Sequence, residues 1–281
     1  SYISPFWHSL TSHLKKEQKT PPPKKTMRAI EKYLRRIGEP FLLQETPQAD
    51  YNLLARIMEG HSRSIPFENF DVVLKKDISI QPADIESKLV DDKRGGYCWE
   101  QNNLLQIALE ALGYDVTPLL ARVRWGKADD SEEPNTTFTH LTLKVKTNDE
   151  KYYLADVGFA GTNSMRPISL DLGSTIQKLP EGSFRISPSK HVGFHILELY
   201  ISTKKEWKPL YEWRDEKAAF VDQECSNWYS YTYPTARFTN QLFCFRIIGE
   251  TRHHILNDLY VIRKGHGVDM EMTEERIVDK E

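Results

Sequence analysis

The 281-residue sequence predicts an α+β protein in which helices and strands occupy separate parts of the chain. Apolar residues recur at helical spacing through roughly the first hundred positions, whereas alternating and β-branched runs dominate from residue 114 onward. The C-terminal part mixes one helical stretch with short strands. Because strands and helices do not alternate, we expect an antiparallel sheet beside a helical layer, not a parallel sheet with crossover helices.

The helical part begins after a proline-rich stretch. Residues 1–26 include three prolines between lysines and are expected to form an extended tether. The segment 27–38 places apolar residues three and four positions apart and ends at Gly38, a natural C-cap. On the same grounds, further helices are expected over 48–65, 82–92 and 98–112.

The remaining chain reads mainly as antiparallel sheet. Strands are expected over 114–125, 139–147, 151–159 and 192–201, with a hairpin turn at 148–150. The stretch 214–230 is expected to be helical from its start, and final strands are expected over 240–248 and 253–265.

Composition excludes several classes of function. The net charge of −2 and pI of about 6.5 argue against nucleic acid or an anionic membrane as the main partner. No apolar run approaches the roughly 20 residues of a membrane helix, and the N-terminus lacks the apolar core of a signal peptide. Cys98, Cys225 and Cys244 are odd in number and far apart, so we expect neither a disulfide framework nor a metal site. A reduced, cytoplasmic setting fits this pattern best.

One of these cysteines lies where a helix is expected to begin. In 94-RGGYCWEQN-102, Cys98 follows a glycine pair and precedes an apolar-periodic run. A helix N-terminus carries partial positive charge and unpaired N–H groups, both of which favour a nucleophilic thiolate. Gly95 and Gly96 permit a tight turn and a close approach of other atoms to the backbone. A buried structural cysteine remains the alternative.

A catalytic cysteine needs a base and a group that orients the base. Of nine histidines, His140 opens an apolar alternating strand, whereas His61 lies in a polar stretch and is expected on the surface. Asp156 is the acid within the apolar run 152–159, where a carboxylate requires a partner. The hairpin at 148–150 would place the two strands side by side. Cys98, His140 and Asp156 therefore form a plausible triad, although a strand-end histidine and a turn-forming aspartate remain possible.

Five segments together resemble the arylamine N-acetyltransferase family. The stretch 94-RGGYCWEQN-102 is similar to the family's Arg-Gly-Gly-x-Cys-x-Glu-x-Asn signature. The others are 65-IPFENFDVV-73, 139-THLTLKV-145, 154-LADVGFAG-161 and 227-NWYSYTYPTARFTNQL-242. Each motif is weak by itself, but five in register, between about Tyr33 and Gly265, are specific.

The resemblance implies a fold with a core similar to that of cysteine proteases. It implies an N-terminal extension over 1–26, a helical bundle over 27–113, a central antiparallel β-barrel over 114–209, and an interdomain helix with an α/β lid over 210–281. Cys98 would belong to the bundle, and His140 and Asp156 to the barrel.

The resemblance also implies a ping-pong acyl transfer. The Cys98 thiolate, paired with the imidazolium of His140, would take the acyl group of acetyl-CoA and pass it to an arylamine, arylhydrazine or arylhydroxylamine, as in xenobiotic metabolism. By resemblance Phe67, Thr139 and Phe159 would contact substrate, while Arg94, Gly95, Gly96 and Asn102 would support the site. No permanently bound cofactor and no metal are implied.

The acyl donor remains open at this point, because some fungal members of the family prefer malonyl-CoA. The acidic loop 126–138 just before His140 is expected to set this choice, through Lys127, Thr136 and Thr137 or through Arg122 and Arg124 on the preceding strand. A Cys-His-Asp hydrolase or transglutaminase-like enzyme is an alternative, although the papain-type context of the cysteine is absent. A binding protein without catalysis is another. The sequence leaves the oligomeric state undetermined.

Overall fold

The computed structural model describes residues 24–43, 48–126, 136–159, 161–162, 164–171, 175–202, 204–264 and 271–276. Its N-terminal part is a bundle of helices. In chain order these are α1 (Lys24–Arg36), a 3-10 turn (Pro40–Leu43), α2 (Tyr51–Ser64), α3 (Phe70–Val73), α4 (Pro82–Ile85) with its π-helical continuation Glu86–Asp91, and α5 (Cys98–Ala111). No helix in these ranges combines the length and the apolar character needed to cross a bilayer.

The helix α5 lies at the centre of this bundle. Leu104, Leu105, Ala108 and Leu109 are buried on it, as the apolar stripe predicts. The helix α1 packs against α5 and against the π-helical segment Glu86–Asp91, and it ends just before Gly38, which adopts a φ of +81°. Helix α1 also begins at Lys24, so residues 24–26 are helical and do not belong to the predicted tether. The rest of that tether, 1–23, lies outside the described residues.

His61 is not on the surface, contrary to the sequence-based expectation. It is fully buried on the inner face of α2. Its Nδ1 lies 2.9 Å from the hydroxyl of Tyr33 and its Nε2 lies 2.6 Å from Oε1 of Gln101. Burial lowers the pKa of His61 to about 4, so the ring is neutral and links α1, α2 and α5 by hydrogen bonds. The polar neighbours of His61 in sequence gave no sign of these partners.

The second part is an eight-stranded antiparallel sheet that curls into a nearly closed barrel. Its strands are β2 (Asp115–Val123), β3 (Phe138–Lys146), β4 (Tyr152–Ala155), β5 (Ile168–Ser169), β6 (Gln177–Leu179), β7 (Gly182–Pro188), β8 (His195–Ile201) and β9 (Glu206–Lys217). They are arranged in the order β5-β4-β3-β2-β9-β8-β7-β6. The side chain of Gln177 on the last strand bonds both the N–H and the C=O of Ser169 on the first, each at 2.8 Å.

A third layer covers the bundle and the barrel. It contains α6 (Phe220–Thr232), α7 (Arg237–Asn240) and a sheet ordered β1-β10-β11-β12-β13, where β1 is Phe67–Glu68, β10 is Phe243–Ile248, β11 is Thr251–Leu256, β12 is Leu259–Lys264 and β13 is Glu271–Arg276. Because β1 comes from the bundle and Phe67 also bridges to Gly96, this sheet joins the lid to the segment just before Cys98. The α+β prediction of bundle, barrel and lid is thus confirmed.

Two predicted elements are wrong in detail. Within the stretch expected as one strand over 253–265, the described residues form a hairpin of two strands, β11 and β12, with the turn at Asn257, whose φ is +53°. Residues 214–217, expected to start a helix, instead end β9, and α6 begins only at Phe220. The expected division at 209/210 falls inside β9, so that strand continues through it.

Candidate active site

Cys98 is the first residue of α5, as the sequence predicts. The preceding Tyr97 is the N-cap, and its backbone N–H donates to the Glu100 carboxylate at 3.0 Å. This carboxylate is the acidic half of a capping box, so it satisfies one backbone donor at the start of the helix. The Cys98 side chain is therefore held at the positive end of a well-capped helix.

The two glycines before Cys98 are required by close packing. A Cβ on Gly95 would lie 2.3 Å from the Pro66 carbonyl oxygen, and one on Gly96 would lie 2.6 Å from Oε2 of Glu100. Gly96 also pairs with Phe67 in an isolated parallel bridge. The pair therefore lets the loop before Cys98 pack directly on the start of β1.

Charged side chains tie this loop to the bundle. Arg94 donates to Asp71 at 3.0 Å and to Glu68 at 3.1 Å. Nζ of Lys88 lies 2.8 Å from a carboxylate oxygen of Asp71 and 2.6 Å from one of Glu100, so it links the two acids. Glu68 and Glu100 are almost fully buried, so removing either cation would leave a buried charge without its partner. Arg94 thus lies where a bracing residue would be expected.

His140 and Asp156 meet across the hairpin between β3 and β4. Nε2 of His140 lies 2.7 Å from Oδ2 of Asp156, and both side chains are buried. The strand β4 ends at Ala155, so Asp156 is the first residue after the sheet rather than part of a longer strand. This bond assigns the proton of the neutral ring to Nε2 and leaves Nδ1 as an acceptor.

Asn102 fixes the other oxygen of this carboxylate. From the second turn of α5, its Nδ2 donates to Oδ1 of Asp156 at 2.9 Å and to the Leu141 carbonyl at 2.6 Å. Its own oxygen accepts the N–H of Val157 at 3.0 Å, and the N–H of Gly158 donates to Asp156 at 2.8 Å. Burial disfavours the charged carboxylate, but His140 and these donors outweigh it and lower the pKa of Asp156.

Sequence reasoning missed Tyr211, which lies behind the same pair. Its ring centroid is 4.8 Å from that of His140 and 5.1 Å from that of Phe159. Its hydroxyl lies 3.3 Å from Oγ1 of Thr142, and burial together with the Asp156 charge raises its pKa well above 10. No strand was expected over β9, so the sequence gave no reason to place Tyr211 in the site.

The Cys98 thiol is buried in this arrangement. Its Sγ donates to the Thr139 carbonyl at 3.6 Å. Burial raises the pKa of the thiol, the nearby Asp156 carboxylate raises it further, and backbone hydrogen bonds from Trp99 and Leu141 oppose this only in part. Burial thus opposes ionisation of the thiol, and a thiolate here requires a nearby proton acceptor.

A cavity of about 570 Å³ opens above the thiol. Its walls bring together the predicted residues Phe67, Cys98, Thr139, His140 and Phe159. Asp156, Arg94 and Asn102 lie outside this lining, as supporting groups would.

The far wall of the cavity comes from the lid and had not been foreseen. Phe238, Phe243 and Phe245 line it, together with Arg237 and Arg263. The described lining contains no aspartate or glutamate. The cavity thus has several aromatic walls and two cationic side chains on the lid side.

The loop before His140 contributes differently from expectation. Thr136 and Thr137 line the cavity, whereas Arg122 and Arg124 do not. Arg122 lies 4.0 Å from the centroid of the Phe138 ring, and Arg124 donates to the buried Glu212 at 3.1 Å. Val123, the last residue of β2, and Trp125 just after the strand line the cavity instead. Lys127 and the acidic residues after it lie outside the described residues.

Within the described ranges, no three His, Cys, Asp or Glu side chains are placed to hold a metal ion. The cavity contains a buried thiol and an imidazole that is oriented by a carboxylate. This arrangement is suited to group transfer through a covalent cysteine intermediate.

The comparisons with known proteins first give the class. Residues 50–281 match the family model described as N-acetyltransferase. The chain is 37% identical over 235 residues to the arylamine N-acetyltransferase of Mycolicibacterium smegmatis, an alignment that spans 83% of this chain and 82% of that protein. The protein is thus an N-acetyltransferase enzyme.

Solved structures agree with the sequence match. The arylamine N-acetyltransferase of M. smegmatis superimposes with a TM-score of 0.78 at 32% identity, covering 88% of this chain and 85% of that one. The Mycobacterium marinum arylamine N-acetyltransferase in complex with CoA gives a TM-score of 0.79 at 27% identity, covering 89% and 87%. The chain belongs to the arylamine N-acetyltransferase family, which confirms the resemblance drawn from the five motifs.

Proposed function

We propose that this enzyme moves an acetyl group from coenzyme A to the nitrogen of an aromatic amine through an acyl-cysteine at Cys98. The observation that carries the proposal is the shared cavity of Cys98 and His140, with His140 held by Asp156 at 2.7 Å. CoA is the ligand of the M. marinum relative.

The first step is proton transfer within the site. Since burial and Asp156 raise the pKa of Cys98, the thiol does not ionise independently. Nδ1 of His140 accepts its proton, and Asp156 stabilises the imidazolium through Nε2. Proton transfer leaves the total charge of the three side chains unchanged, so no net charge is added to the buried site.

Two acyl transfers follow. The thiolate attacks the thioester carbonyl, the C–S bond to CoA breaks, and the CoA thiolate leaves with the proton from His140. The amine nitrogen then attacks the acyl-Cys98 carbonyl and gives a proton to His140, and the bond between Sγ and the acyl carbon breaks. The amide leaves and Cys98 regains its proton, so each half-reaction balances.

The walls of the cavity suit flat acceptors. Phe67, Phe159, Phe238, Phe243 and Phe245 surround it, and aromatic rings pack on one another in offset or edge-to-face arrangements. Arylamines, arylhydrazines and arylhydroxylamines are therefore the proposed acceptors, with a role in xenobiotic metabolism. The three cysteines are free in the structure, which fits a cytoplasmic location.

Malonyl transfer is a second candidate because of the lid. Arg237 and Arg263 line the cavity, so the carboxylate of a malonyl group would meet cationic side chains there. Thr136 and Thr137 remain the proposed loop residues for donor choice.

Mixing the enzyme with acetyl-CoA and no acceptor should give a single acetyl adduct on Cys98. Intact-mass analysis with peptide mapping measures it, and the same experiment with malonyl-CoA reports the donor preference. Cys98→Ala should form none, while Cys225→Ala, at an exposed position outside the cavity lining, should behave as wild type. An adduct that persists in Cys98→Ala would remove the basis of the proposal.

Alkylation of Cys98 by iodoacetamide should already be fast near pH 6, because His140 rather than solvent takes the proton. In Asp156→Asn the imidazolium loses its support, so the reaction should require alkaline pH, the direction in which burial shifts the pKa of this thiol. Pseudo-first-order inactivation rates between about pH 5 and 10 measure this. A wild-type profile that rises only near pH 8.5 or above would contradict proton transfer to His140.

A further inference from the structure

The loop that follows Asp156 is anchored at two points. Near Asp156, the N–H of Val157 donates to Asn102 on α5 at 3.0 Å. Further along the loop, the carbonyl oxygen of Gly161 accepts a hydrogen bond from Nη1 of Arg252 at 2.7 Å. Arg252 belongs to β11 of the lid. The loop is therefore held by the bundle at one end and by the lid at the other.

Phe159 lies between these two anchors and packs on the proposed base. Its ring meets that of His140 edge-on with centroids 5.1 Å apart, and it also lines the cavity. The N–H of Thr162 donates to the Phe159 carbonyl at 3.2 Å, so Phe159 is tied to the stretch that Arg252 holds. A shift of Gly161 would thus reach the imidazole through Phe159.

Gly161 fits closely against the lid. Its φ of +83° lies in the region that favours glycine. A Cβ there would lie 2.3 Å from Cε1 of His254 and 2.9 Å from Cδ2 of Phe245. The lid strands therefore leave the loop little room on this side, and the hydrogen bond from Arg252 holds it against them.

The guanidinium of Arg252 is a buried charge, since the residue is only 8% exposed. Burial lowers the pKa of Arg252, the charge of Glu181 opposes this, and Arg263 and Arg63 add to the lowering. An arginine side chain stays protonated nonetheless. Glu181, in the turn between β6 and β7, is buried too, and its carboxylate accepts no hydrogen bond from the described residues. Because an apolar side chain would pack here without desolvating a charge, packing does not account for the arginine.

We propose that Arg252 is a positioning residue for acyl transfer, because it holds from the lid the loop that places Phe159 against His140. This inference rests on the proposed function, since it concerns the base of that mechanism. Without the hydrogen bond to Gly161, the loop would be free to shift together with its N–H that donates to Asp156. The imidazole would lose part of its support, and small displacements are costly in a site that depends on alignment.

Two variants separate position from stability. Arg252→Ala removes the hydrogen bond but leaves Glu181 as a buried charge without this cation. In the double variant Arg252→Met, Glu181→Gln both charges are gone, and the hydrogen bond to Gly161 is still absent. Single-turnover acetylation of Cys98 by acetyl-CoA should be about 10- to 100-fold slower in both. The urea midpoint should fall mainly in Arg252→Ala, which retains the buried charge.

Guanidinium should restore part of the rate in Arg252→Ala. The truncation leaves room beside Gly161, and the free cation supplies the same planar donors and charge as the lost side chain. Guanidinium chloride is added well below the concentrations that unfold the protein, with sodium chloride at equal ionic strength as the reference. The double variant, in which methionine fills the space, should not respond.

The pH profile of iodoacetamide alkylation gives a measure that does not need acyl transfer. In both variants the profile of Cys98 should move to higher pH, because a less supported His140 accepts the thiol proton less readily. Lower stability by itself would not move the profile of the folded protein. Arg246→Ala is the matched control, since Arg246 is exposed on β10 of the same lid sheet, and it should leave both rate and profile unchanged.

A wild-type acetylation rate in folded Arg252→Ala would overturn the proposal. So would a wild-type rate in the double variant, which would show that Arg252 serves only to balance the charge of Glu181. Failure of Cys98 to acetylate in wild type would instead overturn the proposed function, and the alkylation profiles would still decide the role of Arg252.

Discussion

Replacing Asp156 with asparagine should lower the rate of acyl transfer by about 10³-fold or more, although Asp156 does not line the cavity. The carboxylate accepts the Nε2 proton of His140 at 2.7 Å, which fixes the tautomer and supports the imidazolium. An asparagine amide can offer an N–H to the same nitrogen, which would favour the wrong tautomer. Steady-state kcat and single-turnover acetylation of Cys98 measure the loss.

Asp149→Asn is the matched control, because Asp149 lies in the hairpin turn between β3 and β4. It bonds Lys151 at 2.7 Å and is about half exposed. The same chemical change there should leave activity within about twofold, since exposed ion pairs contribute little. Activity of Asp156→Asn within a few fold of wild type would rule out the orienting role.

The Asp156 change should also alter the pH dependence of stability. In the folded protein the pKa of Asp156 is lowered, so its charged form stabilises the fold at pH values above the unfolded pKa of about 4. That stabilisation is lost as the pH falls through the folded pKa. Wild type should therefore be more stable than Asp156→Asn at neutral pH, and the difference should shrink below about pH 4 in urea unfolding.

The sequence predicted more of the candidate site residues than of the contacts that these residues make with distant segments. Cys98, His140 and Asp156 lie in short motifs whose local setting carries information: a helix start, a strand start and an acid in an apolar run. Asn102 was also marked, but not its bond to Asp156 at 2.9 Å, because α5 and the end of β4 are far apart in sequence. Pairings between distant segments are what local patterns leave undetermined.

The sequence did not predict strands in which buried and exposed residues fail to alternate regularly. The strand β9 reads EWKPLYEWRDEK, where a proline and several charges hide the buried Leu210, Tyr211 and Trp213. It lies between β2 and β8 at the middle of the barrel, so its packing overrides its weak local preference. For this reason the predicted site did not include Tyr211. It also did not include His254, which lines the cavity, because one strand was expected where the chain forms the hairpin of β11 and β12.

Trp99→Ala should lower the free energy of unfolding by about 3–5 kcal/mol, a large part of the 5–15 kcal/mol typical of a folded protein. Trp99 follows Cys98 and is fully buried in the core shared by the bundle, barrel and lid. Its indole N–H donates to Ser230 on α6 at 3.0 Å, so the change opens a cavity and removes a buried hydrogen bond between α5 and the lid. The urea midpoint, compared at equal slope, measures the loss.

The matched control for Trp99 is Trp228→Ala on α6. Trp228 is 57% exposed, so the same truncation there should shift stability by only about 0.5 kcal/mol. The rate of Cys98 acetylation gives a second comparison of the two variants. Trp99→Ala should loosen the start of α5 and slow the acetylation, whereas Trp228→Ala should leave the rate unchanged. Equal midpoints for the two variants would show that α5 is not anchored through Trp99. The position of Cys98 would then depend on the other contacts of this helix start, among them the ion pairs of Arg94 and Lys88 and the bridge between Gly96 and Phe67.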